Sequence, residues 1–234
     1  MDLLIDSFRS AFLLILAWDH ELLVIVGCSL KVSGLATLFA AMIGLPLGFV
    51  IAFTNFSGKR LTLTCLNTLL ALPTVVIGLL VYALISRRGI LGSLDLLYTQ
   101  EAIIVGQIIL IVPVITTMTI AAISRIDKRY RNTALTLGAN SYQMAWVIFI
   151  EARYGVIAAV IAAFGRVIAE IGISMMLGGN AKGFTRTMTT AMALEYDKGE
   201  FVLAVALGVI LMGLAFAINL LFQLFQGRVE SDAV

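Results

Sequence analysis

The stretch AIIVGQIILIVPVITTMTIAAIS, residues 102–124, carries no charged side chain. Because roughly 20 apolar residues in a helix cross the hydrocarbon core of a bilayer, this stretch predicts a membrane-spanning helix. Three more uncharged runs are long enough for the same role: Val32–Gly58, Leu61–Ser86 and Phe201–Gly227. The chain of 234 residues is 61% hydrophobic and 13% charged, and a soluble fold has nowhere to bury so much apolar surface.

One more span, the fourth of five in chain order, is predicted at Gly155–Gly178, which is apolar except for Arg166 and Glu170. These two residues are one helical turn apart, and an unpaired charge is costly inside a membrane, so we favour an ion pair between them. The alternative is that Arg166 contacts an anionic ligand, because its guanidinium group suits tetrahedral anions.

The segment Phe8–Val26 is interrupted by Asp19-His20-Glu21 after too few apolar residues for a span. It predicts a helix lying on the membrane surface. The predicted organisation is therefore an N-terminal surface helix at 1–28, a transmembrane domain at 29–227 and a short tail at 228–234. The expected fold is an all-α membrane protein with about five transmembrane helices. Asp2 and Asp6 stand where a signal peptide has basic residues, so we expect no cleaved leader.

Basic residues are slightly more numerous on one side of the predicted spans. That side carries eight: Lys59, Arg60, Arg125, Lys128, Arg129, Arg131, Arg153 and Arg228. The opposite side carries seven: Arg9, Lys31, Arg87, Arg88, Lys182, Arg186 and Lys198. Positive charge favours the cytoplasmic side, so we expect the N-terminus outside, the C-terminus in the cytoplasm and a main cytoplasmic loop at 125–153.

The sequence offers no catalytic or metal-binding constellation. His20 is the only histidine, and Cys28 and Cys65 have no Cys-x-x-Cys spacing, so we interpret both cysteines as packing residues. No phosphate-cradling Gly-rich loop ends in Lys-Ser or Lys-Thr, and no Gly-x-Ser-x-Gly turn is present. We therefore expect a chain that is not an enzyme, binds no cofactor directly and has no nucleic-acid partner.

Two local features concern the spans themselves. Pro46, Pro73 and Pro113 lie within apolar runs, where they bend helices that line a pathway or are simply tolerated by neighbouring helices. Gly44 and Gly48 form a small-xxx-small pair, which lets another helix backbone approach closely.

The loop between the third and fourth spans reads RNTALTLGANSYQMAWVIFIE, residues 131–151. Ala134, Leu135 and Leu137 give a short helix an apolar face, and Gly138 can adopt the left-handed geometry that ends it. Asn140 or Ser141 can then cap a second helix that runs into the membrane. An exposed helix with an apolar face predicts a partner.

This loop resembles that of the permease subunits of binding-protein-dependent ABC importers, whose pattern is EAA-x3-G-x9-I-x-LP. Gly138 holds the glycine position, Ile148 the isoleucine and Ile150 the leucine. The residues Asn132-Thr133-Ala134 replace the Glu-Ala-Ala triplet, and Glu151 replaces the proline. The resemblance implies that a coupling helix contacts a separate ATPase through residues of this loop: Asn132, Thr133, Ala134, Leu135, Leu137, Gly138, Ala139 and Asn140.

The next stretch, FGRVIAEIGISMMLGGN at residues 164–180, looks like the fourth span of oxyanion permeases. The continuation GFTRTMTTA at 183–191 with KGEF at 198–201 is most similar to tungstate permeases. The resemblance implies a homodimer in the cell inner membrane, two cytoplasmic ATP-binding subunits that use ATP, an extracytoplasmic solute-binding protein and a bilayer of membrane lipid. Molybdate and sulfate stay open as alternative substrates.

Several residues near the fourth span have more than one interpretation. The pathway or gate candidates are Arg166, Glu170, Met175 and Met176. The two methionines precede a glycine pair, where a gate is one interpretation and simple gap-filling the other. Lys182 and Arg186 attract a dianion, contact the binding protein or are merely solvated. The hydroxyl groups of Thr185, Thr187, Thr189 and Thr190 bind oxyanions or satisfy backbone groups at a helix start. An ion-coupled secondary transporter is the rival from another class, but such carriers usually show more intramembrane charges.

Overall fold

The structure is a computed structural model that describes the backbone of residues 2–231 and the side chains of residues 9–127 and 129–223. The part described is helical, with one short 3-10 turn at Gly92–Leu94. The helices are α1 Asp2–Leu16, α2 His20–Phe53, α3 Lys59–Leu70, α4 Thr74–Ile85, α5 Gln100–Ser124, α6 Lys128–Thr136, α7 Ser141–Ile168, α8 Gly172–Gly178, α9 Met188–Lys198 and α10 Phe201–Ser231. The predicted all-α class is confirmed.

Helices α2 and α5 form the central seam and run parallel to each other. Lys31 contacts Gln100 near their starts, whereas Gly44 faces Ile115 and Gly48 faces Thr119 further along. A Cβ atom on Gly48 would lie 2.7 Å from the Cβ of Thr119, so only glycine permits this approach. The predicted small-xxx-small contact is therefore the α2–α5 seam.

The run Leu61–Ser86 is not one straight span. Helix α3 ends at Leu70, α4 begins at Thr74, and the two helices meet at an angle of 99° with Pro73 as the N-cap of α4. Because α2 and α5 are parallel, the chain has to return across the membrane between them, so α3 and α4 together make a broken crossing. Pro46 and Pro113 lie inside α2 and α5, which continue past them.

The predicted fourth span is also interrupted. Helix α7 starts in the loop at Ser141 and ends at Ile168, and the short helix α8 follows after a break at 169–171. Helix α10 packs antiparallel to α7, because Gly165 lies beside Ile218 while Ala158, earlier in α7, lines the same cleft as Phe222, later in α10. Four described helices, α2, α5, α7 and α10, are long and apolar enough to cross a bilayer, and the bent α3–α4 pair makes a fifth candidate span, in agreement with the predicted number of about five.

The N-terminal segment differs from the prediction of one surface helix over Phe8–Val26. The chain breaks at Trp18, whose φ is +52°, and Asp19 caps α2 by accepting a hydrogen bond from the Leu22 backbone N–H. Residues 20–26 therefore belong to the first spanning helix. Helix α1 buries Ala11 against α10 and leaves Phe12 and Leu16 exposed, so its position at the membrane surface stays a prediction.

The bundle has two chemically different ends. We call the end that carries the α6–α7 loop the α6 end, and the opposite end, with the segment 179–199, the α9 end. Buried apolar residues of α2, α4, α5, α7 and α8 fill the space between them. The predicted tail 228–234 begins inside α10, and residues 232–234 lie outside the described residues.

Candidate functional site

The α6–α7 loop is a helix–turn–helix, as its sequence predicts. Helix α6 ends at Thr136, and Gly138 has a φ of +81°, a left-handed conformation that side chains disfavour. The Ala139 N–H donates to the Ala134 carbonyl, which closes the turn. Asn140 then begins α7 with a capping box, exchanging hydrogen bonds with Gln143. These local bonds hold the turn in one geometry.

The side chains of this loop divide into an anchored face and an exposed face. Ala134 is buried against Met144 and Ile148 of α7. Asn132, Thr133 and Leu135 are exposed, and Leu137 keeps 82% of its surface. Tyr142 is 89% exposed, and sequence reasoning did not single it out because nothing in the sequence distinguishes an exposed from a buried aromatic residue here. The arrangement is a rigid turn that presents an apolar surface outward.

A cleft of about 930 Å³ opens between α5, α6, α7 and α10 at the α6 end. We call it the α6 cleft. Its lining combines basic and aromatic residues with apolar ones; representative lining residues are Arg125, Arg129, Arg153, Tyr130, Tyr154, Met118, Ala121, Ala158 and Phe222. The guanidinium carbon of Arg153 lies 4.5 Å from the centre of the Tyr154 ring, a cation–π contact.

Arg166 and Glu170 do not form the predicted ion pair. The two would share a helix face only if α7 continued, but it ends at Ile168. Glu170 is instead buried at the break, where its Oε1 accepts a hydrogen bond from the Ile173 N–H at 3.2 Å. Arg166 is exposed, and among the described side chains no carboxylate lies within ion-pair distance of it.

The two gate candidates on α8 have different surroundings. Met175 is 40% exposed, whereas the Sδ of Met176 lies 3.0 Å from where a Cβ on Gly78 of α4 would stand. Gly179 follows α8 with a φ of +67° and packs against the ring of Tyr98. Met176 is therefore a packing residue between α4 and α8, and Met175 is the member of the pair that faces outward.

A buried ion network occupies the α9 end. Arg186 is only 8% exposed, and its Nη1 lies 3.5 Å from Glu21 and 3.7 Å from Glu195. Lys182 pairs with Glu21 at 2.7 Å, and Lys198 pairs with Glu195 at 2.9 Å. The network ties the start of α2 to the loop before α9 and to α9 itself. Because Arg186 is buried and paired with two carboxylates, the predictions that it is solvated or that it attracts a dianion are wrong.

The threonines beside Arg186 bond to the backbone and to each other. Thr187 caps α9 in a capping box with Thr190, and the Thr189 hydroxyl donates to the Glu170 carbonyl at 2.8 Å. The Thr185 hydroxyl donates to the Gly178 carbonyl at 2.6 Å. The backbone interpretation of these hydroxyl groups is therefore correct, and they are not displayed to an anion.

A second cavity, of about 690 Å³, lies beside the loop that joins α4 to α5. Its lining includes Arg87, Arg88, Asp95 and Tyr98. The pKa of Tyr98 is raised, first by electrostatic interaction with Tyr82 and also by a hydrogen bond to that residue. This pair of arginines is the exposed basic feature of that loop.

The described residues contain no group of three or more His, Cys, Asp or Glu side chains arranged to hold a metal ion. Cys28 is buried, and its thiol donates to the Phe184 carbonyl, so it packs as predicted. Cys65 is exposed on α3, where the packing prediction was wrong.

The chain matches known transport proteins along most of its length. Residues 44–231 match the model of the binding-protein-dependent transport system inner membrane component. A probable anion ABC transporter permease protein of Haloferax volcanii is 38% identical over 209 residues, covering 87% of this chain and 90% of that one. The tungstate uptake system permease protein TupB of Peptoclostridium acidaminophilum is 35% identical over 226 residues, covering 97% and 99%.

A solved structure has the same fold. The bacterial alginate ABC transporter in complex with an alginate-bound periplasmic protein superposes with a TM-score of 0.72 at 17% identity, covering 96% of this chain and 88% of that chain. The candidate spans, the turn at Gly138 and these matches all indicate the same family of membrane proteins. The chain therefore belongs to the binding-protein-dependent transport system inner membrane components, the membrane permease subunits of ABC importers.

Proposed function

We propose that this permease imports a tetrahedral oxyanion, with tungstate as its principal substrate. The main support is its similarity to a tungstate permease over 97% of the chain. Tungstate and molybdate have the same charge and nearly the same size, so the solute-binding protein selects between them. The permease needs only to pass the released dianion.

The transporter comprises two copies of this chain, two cytoplasmic ATP-binding subunits and an external binding protein. ATP is bound and hydrolysed by the partner subunits, and this chain holds no cofactor. The α6 end faces the cytoplasm, which puts the N-terminus outside and the C-terminus inside. Five crossings support opposite sides for the two termini, and the basic residues around α6 support this orientation.

The α6–α7 turn is the surface on which the ATPase acts. Its apolar side chains are exposed while its backbone is fixed by Gly138 and the Asn140 cap, so it can transmit rigid-body motion to α5 and α7. Tyr142→Ala should lower ATPase association and ATP-driven uptake severalfold. Tyr196→Ala is the matched control, because this tyrosine is also exposed but lies on α9 at the opposite end. Equal behaviour of the two variants would exclude the turn as the docking surface.

Arg166 is the proposed contact for the passing anion, and Met175 the proposed gate residue. An exposed guanidinium at membrane depth without a described carboxylate partner is costly against lipid, which favours a position in a polar pathway. Arg166→Gln should abolish most oxyanion uptake while the ATPase still associates, and Arg166→Lys should retain part of it. Unchanged uptake by Arg166→Gln would remove Arg166 from the pathway.

The function is tested in proteoliposomes that contain this chain, its ATPase and a binding protein loaded with tungstate, molybdate or sulfate. We expect uptake that requires all three proteins and ATP and is fastest for tungstate. Fastest uptake of molybdate or sulfate would correct the substrate. Uptake by this chain alone, without ATP, would indicate an ion-coupled carrier and overturn the mechanism.

A further inference from the structure

A pocket at the α9 end carries two exposed arginines. It is the cavity of about 690 Å³ beside the loop between α4 and α5, and we call it the α4–α5 pocket. Arg87 and Arg88 line it, and among the described side chains no carboxylate lies within ion-pair distance of either. Other basic residues at this end are paired: Lys182 with Glu21, Arg186 with Glu21 and Glu195, and Lys198 with Glu195. The charge of Arg87 and Arg88 is therefore available to a ligand.

The pocket lies beside the short helix that carries the proposed gate residue. Tyr98 lines the pocket and donates its backbone N–H to the Leu177 carbonyl at 2.8 Å, near the end of α8. The ring of Tyr98 also packs against Gly179, the residue that follows this helix. Met175 belongs to the same helix. A ligand in the pocket is thus next to α8, at the end of the bundle that the proposed orientation places outside.

The backbone around the two arginines is tightly folded. The Gly89 N–H donates to the Ser86 carbonyl at 2.7 Å, so the two arginines are the central residues of a four-residue turn. Further along the same loop, Asp95 and Tyr98 have φ values of +45° and +65°, a left-handed conformation that side chains disfavour. Strained residues of this kind cluster at ligand sites, where the surrounding structure maintains the strain. The loop therefore has the character of an arranged site.

The side chains of the pocket suit a small dianion. Each guanidinium group presents a planar fork of N–H donors that matches the oxygens of a tetrahedral oxyanion. Electrostatic interaction with Tyr82 raises the pKa of Tyr98, and a hydrogen bond joins the two side chains. Because this bond uses one hydroxyl proton, the proton of the other hydroxyl is left to donate to an anion. Two positive charges and a hydroxyl donor are a fitting set for a doubly charged oxyanion.

Two features lower the positive charge of the pocket. Asp95 is in its lining, and α4 ends at Ile85, where the helix macrodipole contributes about half a negative charge. The empty pocket is therefore only weakly positive, and the Asp95 carboxylate opposes an anion. Replacing Asp95 with asparagine, which has the same shape and also tolerates a left-handed backbone, should improve anion binding.

We propose that the α4–α5 pocket binds a tetrahedral oxyanion between Arg87 and Arg88 and holds it beside α8 before it enters the pathway. The identity of the anion and the outer location rest on the proposed function, whereas binding itself depends only on the pocket. This holding site is distinct from the proposed contact at Arg166, which belongs to the span α7.

The test measures tungstate binding to the full chain purified in detergent, without the ATPase or the binding protein. The chain carries Arg166→Gln, which removes the other proposed anion contact, and bound tungsten is measured by equilibrium dialysis and elemental mass spectrometry. We expect saturable binding that sulfate displaces and acetate does not. Adding Arg87→Gln or Arg88→Gln should weaken the affinity about tenfold, the effect of losing a hydrogen bond to a charged group. Adding Asp95→Asn should strengthen it severalfold, because a like charge is removed.

Two control variants separate this site from general attraction to positive charge. Lys182→Gln removes an exposed cation at the same end of the bundle, outside the lining of the pocket. Arg125→Gln removes an exposed arginine at the α6 end. Both should leave tungstate binding unchanged. Thermal unfolding confirms that each variant is folded.

Three results would overturn the proposal: no saturable binding, unchanged affinity in Arg87→Gln and Arg88→Gln, or an equal loss in Lys182→Gln. Displacement of tungstate by short-chain phosphatidylglycerol would assign the pocket to a lipid phosphate and overturn it as well. Because binding is measured without the ATPase, its failure is separate from a failure of transport. A complete transporter that imports tungstate, built from a chain whose pocket does not bind it, would disprove only the holding site.

Discussion

The two ends of the bundle are built on different physical principles. At the α9 end, Arg186 is buried between two carboxylates, and the neighbouring threonine hydroxyls bond to backbone or to each other. At the α6 end, Leu137 and Tyr142 are exposed, and a large cleft separates the helices. The α9 end buries its charged and polar side chains against one another, although Arg186 Nε and Asn180 Oδ1 are buried without a hydrogen-bond partner, whereas the α6 end leaves apolar surface exposed. This exposed surface is the one on which the proposed function places the ATPase.

The largest expected effect is the loss of the buried cation at the α9 end. Arg186→Met leaves Glu195 buried with only Lys198 beside it, and removing one partner of a buried ion pair costs about 3–5 kcal/mol. We expect a correspondingly lower free energy of unfolding in detergent. Lys182→Met is the control, because Lys182 is 68% exposed and such a pair contributes at most ~1 kcal/mol. Equal stability of Arg186→Met and the parent chain would show that the network does not hold this end together.

The sequence was sufficient to predict the α6–α7 turn because the structure of that turn is decided by residues close together in the chain. Gly138, the Asn140 cap and the apolar positions of α6 lie within a few residues of one another, and each has a preferred local geometry. The five crossings were predictable for a similar reason, since long uncharged runs have few alternatives to a membrane helix.

The α9 end was not predictable in the same way. Glu21 and Arg186 meet only after the chain has folded, and no spacing rule connects residues so far apart in the sequence. The Arg166–Glu170 pair failed for the opposite reason, because the spacing rule assumes a continuous helix and α7 ends at Ile168. Similarly, the bend at Pro73 could be expected, but its angle of 99° depends on where α4 packs against α8.

An intermediate loss of stability is expected from alanine substitutions at two glycines, Gly138 at the α6 end and Gly183 at the α9 end. Gly138 and Gly183 have φ values of +81° and +77°, and an added Cβ would meet no atom within 4 Å at either position. Each change to alanine should therefore cost a similar ~1–2 kcal/mol for the left-handed conformation. Only Gly138→Ala should also weaken ATPase association, because it alters the proposed docking turn.

Unfolding in detergent measures the stability of each variant, and a pull-down with the ATPase subunit measures its association separately. Similar stability with a selective loss of association in Gly138→Ala would support the division between the two ends. Loss of association in both variants would mean that strain is transmitted through the whole bundle.

The smallest expected effect is a difference in free energy of unfolding between variants that remove the caps of α9 and α7. Thr187 and Asn140 each cap a helix, but the Thr187 hydroxyl is buried and also contacts the Thr189 and Thr190 hydroxyls, whereas Asn140 is exposed. A lost N-cap typically costs ~1 kcal/mol, and a buried group left without its partner adds about 1 kcal/mol or more. Thr187→Ala should thus destabilise the chain by about 2 kcal/mol and Asn140→Ala by about 1 kcal/mol. Thr187→Ser, which retains the capping oxygen, should recover most of the loss, and equal losses in the two alanine variants would contradict a more tightly bonded α9 end.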